Sequence, residues 1–155
     1  MNKVVLVTGG AKRIGKSICK KFHENGFSII CHYNSSDEEA ENLKKELNSV
    51  RANSIETIKF DLNDYKNYNS FCDSILKKYG KLDVLINNAS SFFSTPVNED
   101  NLSDWDDLIN SNVKGPLIIV KYFADYLKKN LGTVINLSDA MTVSYTHLTL
   151  PTTEY

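Results

Sequence analysis

The first residues able to do chemistry are consecutive: Thr8-Gly9-Gly10-Ala11-Lys12-Arg13-Ile14-Gly15. Glycines in such a turn let the backbone approach a pyrophosphate, and a helix starting there points unpaired N–H groups at the anion. Lys12 and Arg13 place positive charge beside that position. Glycine spacing alone also fits an ordinary tight turn. Position decides in favour of a dinucleotide, because the segment joins the first apolar run to the first helical period. Gly9, Lys12, Arg13, Ile14 and Gly15 are therefore candidate cofactor-binding residues.

A second group follows the next apolar run. His32-Tyr33-Asn34-Ser35-Ser36 is uncharged, and the first acid is delayed to Asp37. A site for NAD usually places an acid at the end of this strand to hold the ribose hydroxyls, whereas a site for NADP avoids one. Nothing in the stretch repels a 2′-phosphate, and Lys12, Arg13 and the hydroxyls can hold it, so the expected cofactor is NADP(H). His32 taken alone fits a partly exposed strand-end histidine equally well. Asp61-Leu62 could receive an adenine amino group, although a bare Asp at a strand end is more often a helix cap. Asn87-Asn88-Ala89-Ser90 follows a fourth apolar run, where ligands meet the carboxyl ends of a parallel sheet; an asparagine pair also suits a turn.

These groups need elements to hold them. Val4–Val7 reads as a buried strand that Gly9-Gly10 stops. From Arg13, Ile14, Ile18 and Phe22 recur every four residues between lysines, an amphipathic helix ending at Asn25-Gly26. Phe27–Cys31 is a second strand. Ser35 and Ser36 before Asp37-Glu38-Glu39 open a helix carrying Ala40, Leu43 and Leu47. Ile55–Phe60 is a third strand, less apolar and nearer an edge. Tyr68, Phe71, Cys72, Ile75 and Tyr79 mark a helix capped by Gly80, and Leu82–Ile86 is the most apolar strand. A long helix runs through Trp105, Leu108, Ile109, Val113, Leu117, Val120, Phe123 and Leu127, with Gly115-Pro116 expected to bend it. Thr133–Ile135 is a fifth strand. This alternation predicts an α/β fold, a Rossmann-type doubly wound parallel sheet in a single domain.

Composition agrees. The 155 residues suit one domain, and a hydrophobic share of 41% can fill a core. Eighteen basic residues against 19 acidic give a net charge of −1, so no basic footprint for nucleic acid or a membrane surface is expected. No apolar run approaches the ~18 residues of a membrane span. Cys19, Cys31 and Cys72 are odd in number and unpatterned, which predicts reduced core residues with no disulfide frame and no metal site, in a cytoplasmic protein.

Together these residues resemble the short-chain dehydrogenase/reductase superfamily. The likeness runs in order through Thr8–Gly15, Asp61, Asn87–Ala89, Asn112 with Gly115, and Asn136-Leu137-Ser138-Asp139. Most members carry glycine or alanine where Arg13 stands and serine where Asp139 stands. The sequence here is similar to the pteridine reductases and the related bacterial dihydromonapterin/dihydrofolate reductases, through Thr8–Arg13, His32-Tyr33, Asn88-Ala89-Ser90-Ser91-Phe92 and Asp139-Ala140-Met141-Thr142.

The resemblance implies an NADPH-dependent reductase of a dihydropterin or dihydrofolate. Arg13, Tyr33, Asn34 and Ser35, with His32 nearby, would surround the 2′-phosphate. Asp61 and Leu62 would meet the adenine, and Asn88, Ala89 and Ser90 the cofactor. Phe92 would stack on the pterin ring, with Ser90 beside it; Asn112 and Asp139 would be catalytic, Asp139 assisting proton delivery to a ring nitrogen. An aromatic face suits a flat heterocycle, and a carboxyl suits a basic ring nitrogen. Phe92-Phe93 also fits a loop pair packed on the core. Two other readings stay open: a carbonyl reductase of the same superfamily, such as one acting on 3-oxoacyl thioesters, and a non-catalytic nucleotide-binding protein.

The likeness then breaks. The superfamily's acid is a Tyr followed four residues later by Lys, and no tyrosine of this chain has Lys at that offset. From Val143 to Thr152 the text is threonine-rich and without period, resembling a translated sequencing adapter. The expectation is a cofactor-binding domain over 1–142, incomplete at its C-terminus, and a non-native tail over 143–155. Such a chain would leave the fifth strand as an open edge and show little turnover. Its full-length parent would be a homotetramer acting on a small pterin-like molecule.

Overall fold

The computed structural model describes residues 2–93 and 102–138. Among these, the elements in order are β1 (Val4–Val7), α1 (Arg13–Glu24), β2 (Ser28–Tyr33), α2 (Asp37–Val50), β3 (Ile55–Lys59), α3 (Tyr68–Tyr79), β4 (Val84–Asn87), α4 (Leu102–Ile109), a π-helical stretch (Asn110–Lys114), α5 (Gly115–Lys129) and β5 (Thr133–Asn136). All strand pairs are parallel, in the order β3-β2-β1-β4-β5. The expected α/β doubly wound parallel sheet is present, with β3 at one edge.

β1 shows why the sheet is covered on both faces. Its four side chains are all buried and alternate in direction. Val4 and Leu6 join Ile30 and Leu85 against Phe71, Cys72 and Ile75 of α3 and Ile119, Phe123 and Leu127 of α5. Val5 and Val7 join Ile29, Cys31 and Ile86 against Cys19 of α1 and Ala40, Leu43 and Leu47 of α2. A continuous apolar run is therefore what a central parallel strand requires. All three cysteines are free and buried.

Two helices bury a different line from the one their apolar residues suggest. In α1 the buried positions are Gly15, Cys19 and His23, and Ile14 is 64% exposed. The first turn must lie close under the strand ends, where only glycine fits, so the inward stripe is shifted one residue. Beyond β4, the expected long helix is broken into α4, the π-helical stretch and α5. Trp105, Ile109, Val113 and Leu117 are exposed and Asn110, Ser111, Gly115 and Ile119 are buried in their place, whereas Phe123 and Leu127, further along the expected line, are buried. Pro116 lies in the first turn of α5, directly after the π-helical stretch; it has no N–H to bond back into that stretch, and the irregularity falls in the turn before it. A Cβ on Gly115 would stand 2.6 Å from the Tyr68 hydroxyl, so glycine lets the helix settle on α3.

No described helix is long and apolar enough to cross a membrane, and the described residues contain no cluster of metal-ligating side chains.

Candidate dinucleotide-binding site

The strand order reverses between β2 and β4 on either side of β1, leaving a crevice at the carboxyl ends of β1 and β4. Thr8 and Asn88 close its floor. The Thr8 hydroxyl accepts the amides of Asn88 and Ala89, each at 3.0 Å, and donates to the Ile86 carbonyl at 3.3 Å. The Asn88 side-chain amide donates to the carbonyls of Thr8 at 2.8 Å and Gly9 at 3.0 Å. One hydroxyl and one carboxamide thus lock the turn after β1 to the turn after β4. Sequence reasoning passed over the hydroxyl of Thr8 as a functional group; its place at the end of β1 was the available signal.

The glycines are demanded by that closeness. Gly9 has φ of 61°, and a Cβ there would stand 2.9 Å from the Ala89 Cα. A Cβ on Gly15 would come within 2.1 Å of the Gly9 carbonyl oxygen and 2.7 Å of the Asn88 side-chain nitrogen. Arg13 also lies in the left-handed region, at φ of 51°, a conformation that favours glycine and marks strain in a long side chain.

Helix α1 starts at this turn. Its first helical bond is from the Lys16 amide to the Lys12 carbonyl, so the amides of Arg13, Ile14 and Gly15 precede the ladder. Its first turn contains no acidic residue, and Lys12 and Arg13 are exposed beside it. A compact backbone cradle, free helical amides and two cations fit an anionic diphosphate.

His32 holds the turn from the other side. Its Nδ1 accepts the Gly9 amide at 3.2 Å, and its Nε2 donates to the Phe60 carbonyl at 2.9 Å. The ring is 1% exposed, and burial lowers its pKa to about 4, so it is neutral near pH 7. Expectation and structure part here: both ring nitrogens are committed within the protein, so His32 supports the turn instead of reaching a ligand. Neither is it a partly exposed strand-end residue.

Around it, Tyr33 is half-buried, and Asn34 and Ser35 are exposed at the start of the β2–α2 connection. The Lys59 ammonium contacts both oxygens of Asp37 at 3.0 and 2.8 Å. Lys59 holds the Asp37 carboxyl below the usual range, while burial, then Asp37, raises Tyr33. Lys59 carried no motif and went unnoticed in the sequence. Asp61 is exposed, and its side chain accepts the Asn63 amide at 2.9 Å, the turn-forming part that a lone Asp suggests. Leu62 is buried in the core beside Tyr68.

On the β4 side, Ser90 is exposed, and Asn112 grips Ser91 twice. Asn112 Oδ1 accepts the Ser91 amide at 2.9 Å, and Nδ2 donates to its carbonyl at 2.8 Å. The next residue, Phe92, is 94% exposed, so it does not pack on the core. Asn87 Nδ2 donates to Asn136 Oδ1 at 2.8 Å, joining the ends of β4 and β5. Asp139 and the residues after it lie outside the described residues, as does the tail 143–155.

A parallel sheet with this reversal, its glycine turn and free helical amides defines a Rossmann-type nucleotide-binding domain. The chain belongs to the short chain dehydrogenase family, whose profile matches residues 3–149. It is similar to pteridine reductase 1 of Leishmania tarentolae, 33% identical over 177 aligned residues that cover 90% of this chain and 61% of that protein. It is also similar to the 3-oxoacyl-acyl-carrier-protein reductase FabG of Staphylococcus aureus, 32% identical over 148 residues, covering 91% of this chain and 57% of that one. An uncharacterized oxidoreductase of Thermotoga maritima is 32% identical over 137 residues, 88% of this chain and 53% of its own. The chain therefore spans little more than half the length of these relatives.

Proposed function

We propose that this chain is the cofactor-binding part of an NADPH-dependent reductase acting on a flat pterin-like ring. The bound nicotinamide would supply a hydride; the residues of this chain bind and orient. Gly9, Gly15 and the amides opening α1 take the diphosphate, with Lys12 and Arg13 beside them. Arg13, Tyr33, Asn34 and Ser35 line the ribose end, where the first acid after β2, Asp37, is paired with Lys59. Asp61 and the Leu62 backbone border the adenine. Ala89 and Ser90 follow the locked end of β4, and Asp139 is proposed to assist protonation of a ring nitrogen.

The observation that carries the substrate class is the Asn112–Ser91 clamp. It fixes the backbone leading into Phe92, whose ring is left almost wholly exposed at the carboxyl side of β4. A fixed, open aromatic face suits a planar heterocycle. The test is fluorescence titration with NADPH, then with dihydrobiopterin on the NADPH-loaded chain. Saturable binding of both supports the reading, and binding of NADPH without the pterin removes the substrate class.

A second reading is a carbonyl reductase acting on 3-oxoacyl thioesters, favoured by the match to FabG over 91% of the chain. Replacing dihydrobiopterin with an acetoacetyl thioester in the same titration separates the two.

A further inference from the structure

Asp37 is the first acid after β2 and opens α2, within a few residues of the ribose-facing Asn34 and Ser35. A bare carboxylate here would repel a 2′-phosphate dianion. It is not bare. Parallel pairing of β2 and β3 sets Lys59 opposite Tyr33, and from there the Lys59 ammonium reaches both Asp37 oxygens. Glu38 and Glu39 also lie in the first turn of α2, so Lys59 is the cation held against an acidic helix start.

We propose that Lys59 is a specificity-determining residue, admitting a 2′-phosphorylated nucleotide by cancelling the charge of Asp37. The inference rests on the dinucleotide reading of this site and deepens it. Lys59 acts through Asp37, which makes it a positioning residue for charge. It is not a ligand contact.

The experiment is a pair of titrations, NADPH and NADH, on the native chain and on Lys59→Gln, Lys59→Arg and the double variant Asp37→Asn/Lys59→Gln, reading the ratio of the two dissociation constants. In Lys59→Gln the preference for NADPH falls about tenfold, the scale of one unmasked carboxylate near a dianion at a partly screened surface. Lys59→Arg keeps the preference, and the double variant restores it, since the carboxylate that Lys59 masked is gone together with its mask. A purely structural role for Lys59 would weaken both nucleotides alike and leave the ratio unmoved. An unchanged ratio in Lys59→Gln, a lost preference in Lys59→Arg, or no rescue in the double variant overturns the inference and leaves the site reading standing. A native chain that binds neither nucleotide, or does not prefer NADPH, overturns the reading beneath it and the inference with it.

Discussion

The Gly9 amide nitrogen donates a hydrogen bond to the Nδ1 of His32, 3.2 Å away and 23 residues on. That bond fixes the tautomer: Nδ1 accepts, so the proton resides on Nε2, facing the Phe60 carbonyl. The turn that would meet the diphosphate is thus held by a neutral, buried imidazole spanning β1, β2 and the end of β3.

This arrangement gives stability a pH dependence of definite sign. The folded pKa of about 4 lies below the ordinary 6.5, so the unfolded chain binds the extra proton between those values. Stability from His32 is complete above about pH 6.5 and is lost as pH falls toward 4. By pH 5 the loss should be about 2 kcal/mol. His23 is lowered in the same direction by burial, so the comparison must be internal. Urea unfolding at pH 7 and pH 5 should show a smaller difference in His32→Gln than in the native chain; equal differences would remove the assignment.

Gly15→Ala should damage fold and binding together. The added Cβ would meet the Gly9 carbonyl and the Asn88 side chain, both held in place by other bonds. A cost of about 3 kcal/mol is expected, with loss of measurable NADPH binding. Thermal unfolding and fluorescence titration read the two effects, and a native-like melting temperature would contradict the geometry.

Thr8→Val keeps the shape of residue 8 but removes the acceptor for two amides. Asn88 and Ala89 would each be left with an unpaired N–H at the junction of β1 and β4. A loss of about 2–3 kcal/mol is expected in denaturant unfolding. Thr8→Ser, retaining the oxygen, should cost clearly less.

Phe92→Ala touches almost no packing, because the side chain is 94% exposed. Stability should change by less than about 0.5 kcal/mol. Affinity of the NADPH-loaded chain for dihydrobiopterin should nevertheless fall about five- to tenfold, the worth of one aromatic stacking contact. Quenching of pterin fluorescence measures it, and unchanged affinity would discard Phe92 as the ring-binding face.

Much of this protein is decided by local sequence. The apolar run Val4–Val7 can only be a central strand, and Gly9 and Gly15 announce a turn that needs close backbone approach; alternation of strand and helix then fixes a parallel sheet. These are properties of short segments, where side-chain type and spacing act directly. What the sequence left open depends on partners far along the chain. Whether His32 faces a ligand or the Gly9 amide was settled by the pairing of β1, β2 and β3, which buries the ring. The apolar line through Trp105, Ile109, Val113 and Leu117 looked like a buried face, yet the π-helical stretch and the fit of Gly115 against Tyr68 turned it outward. The role of Thr8 and the meeting of Lys59 with Asp37 had no local pattern at all. A hydrogen bond or ion pair between residues 22 to 81 positions apart follows from strand register, and register is set by packing the whole sheet.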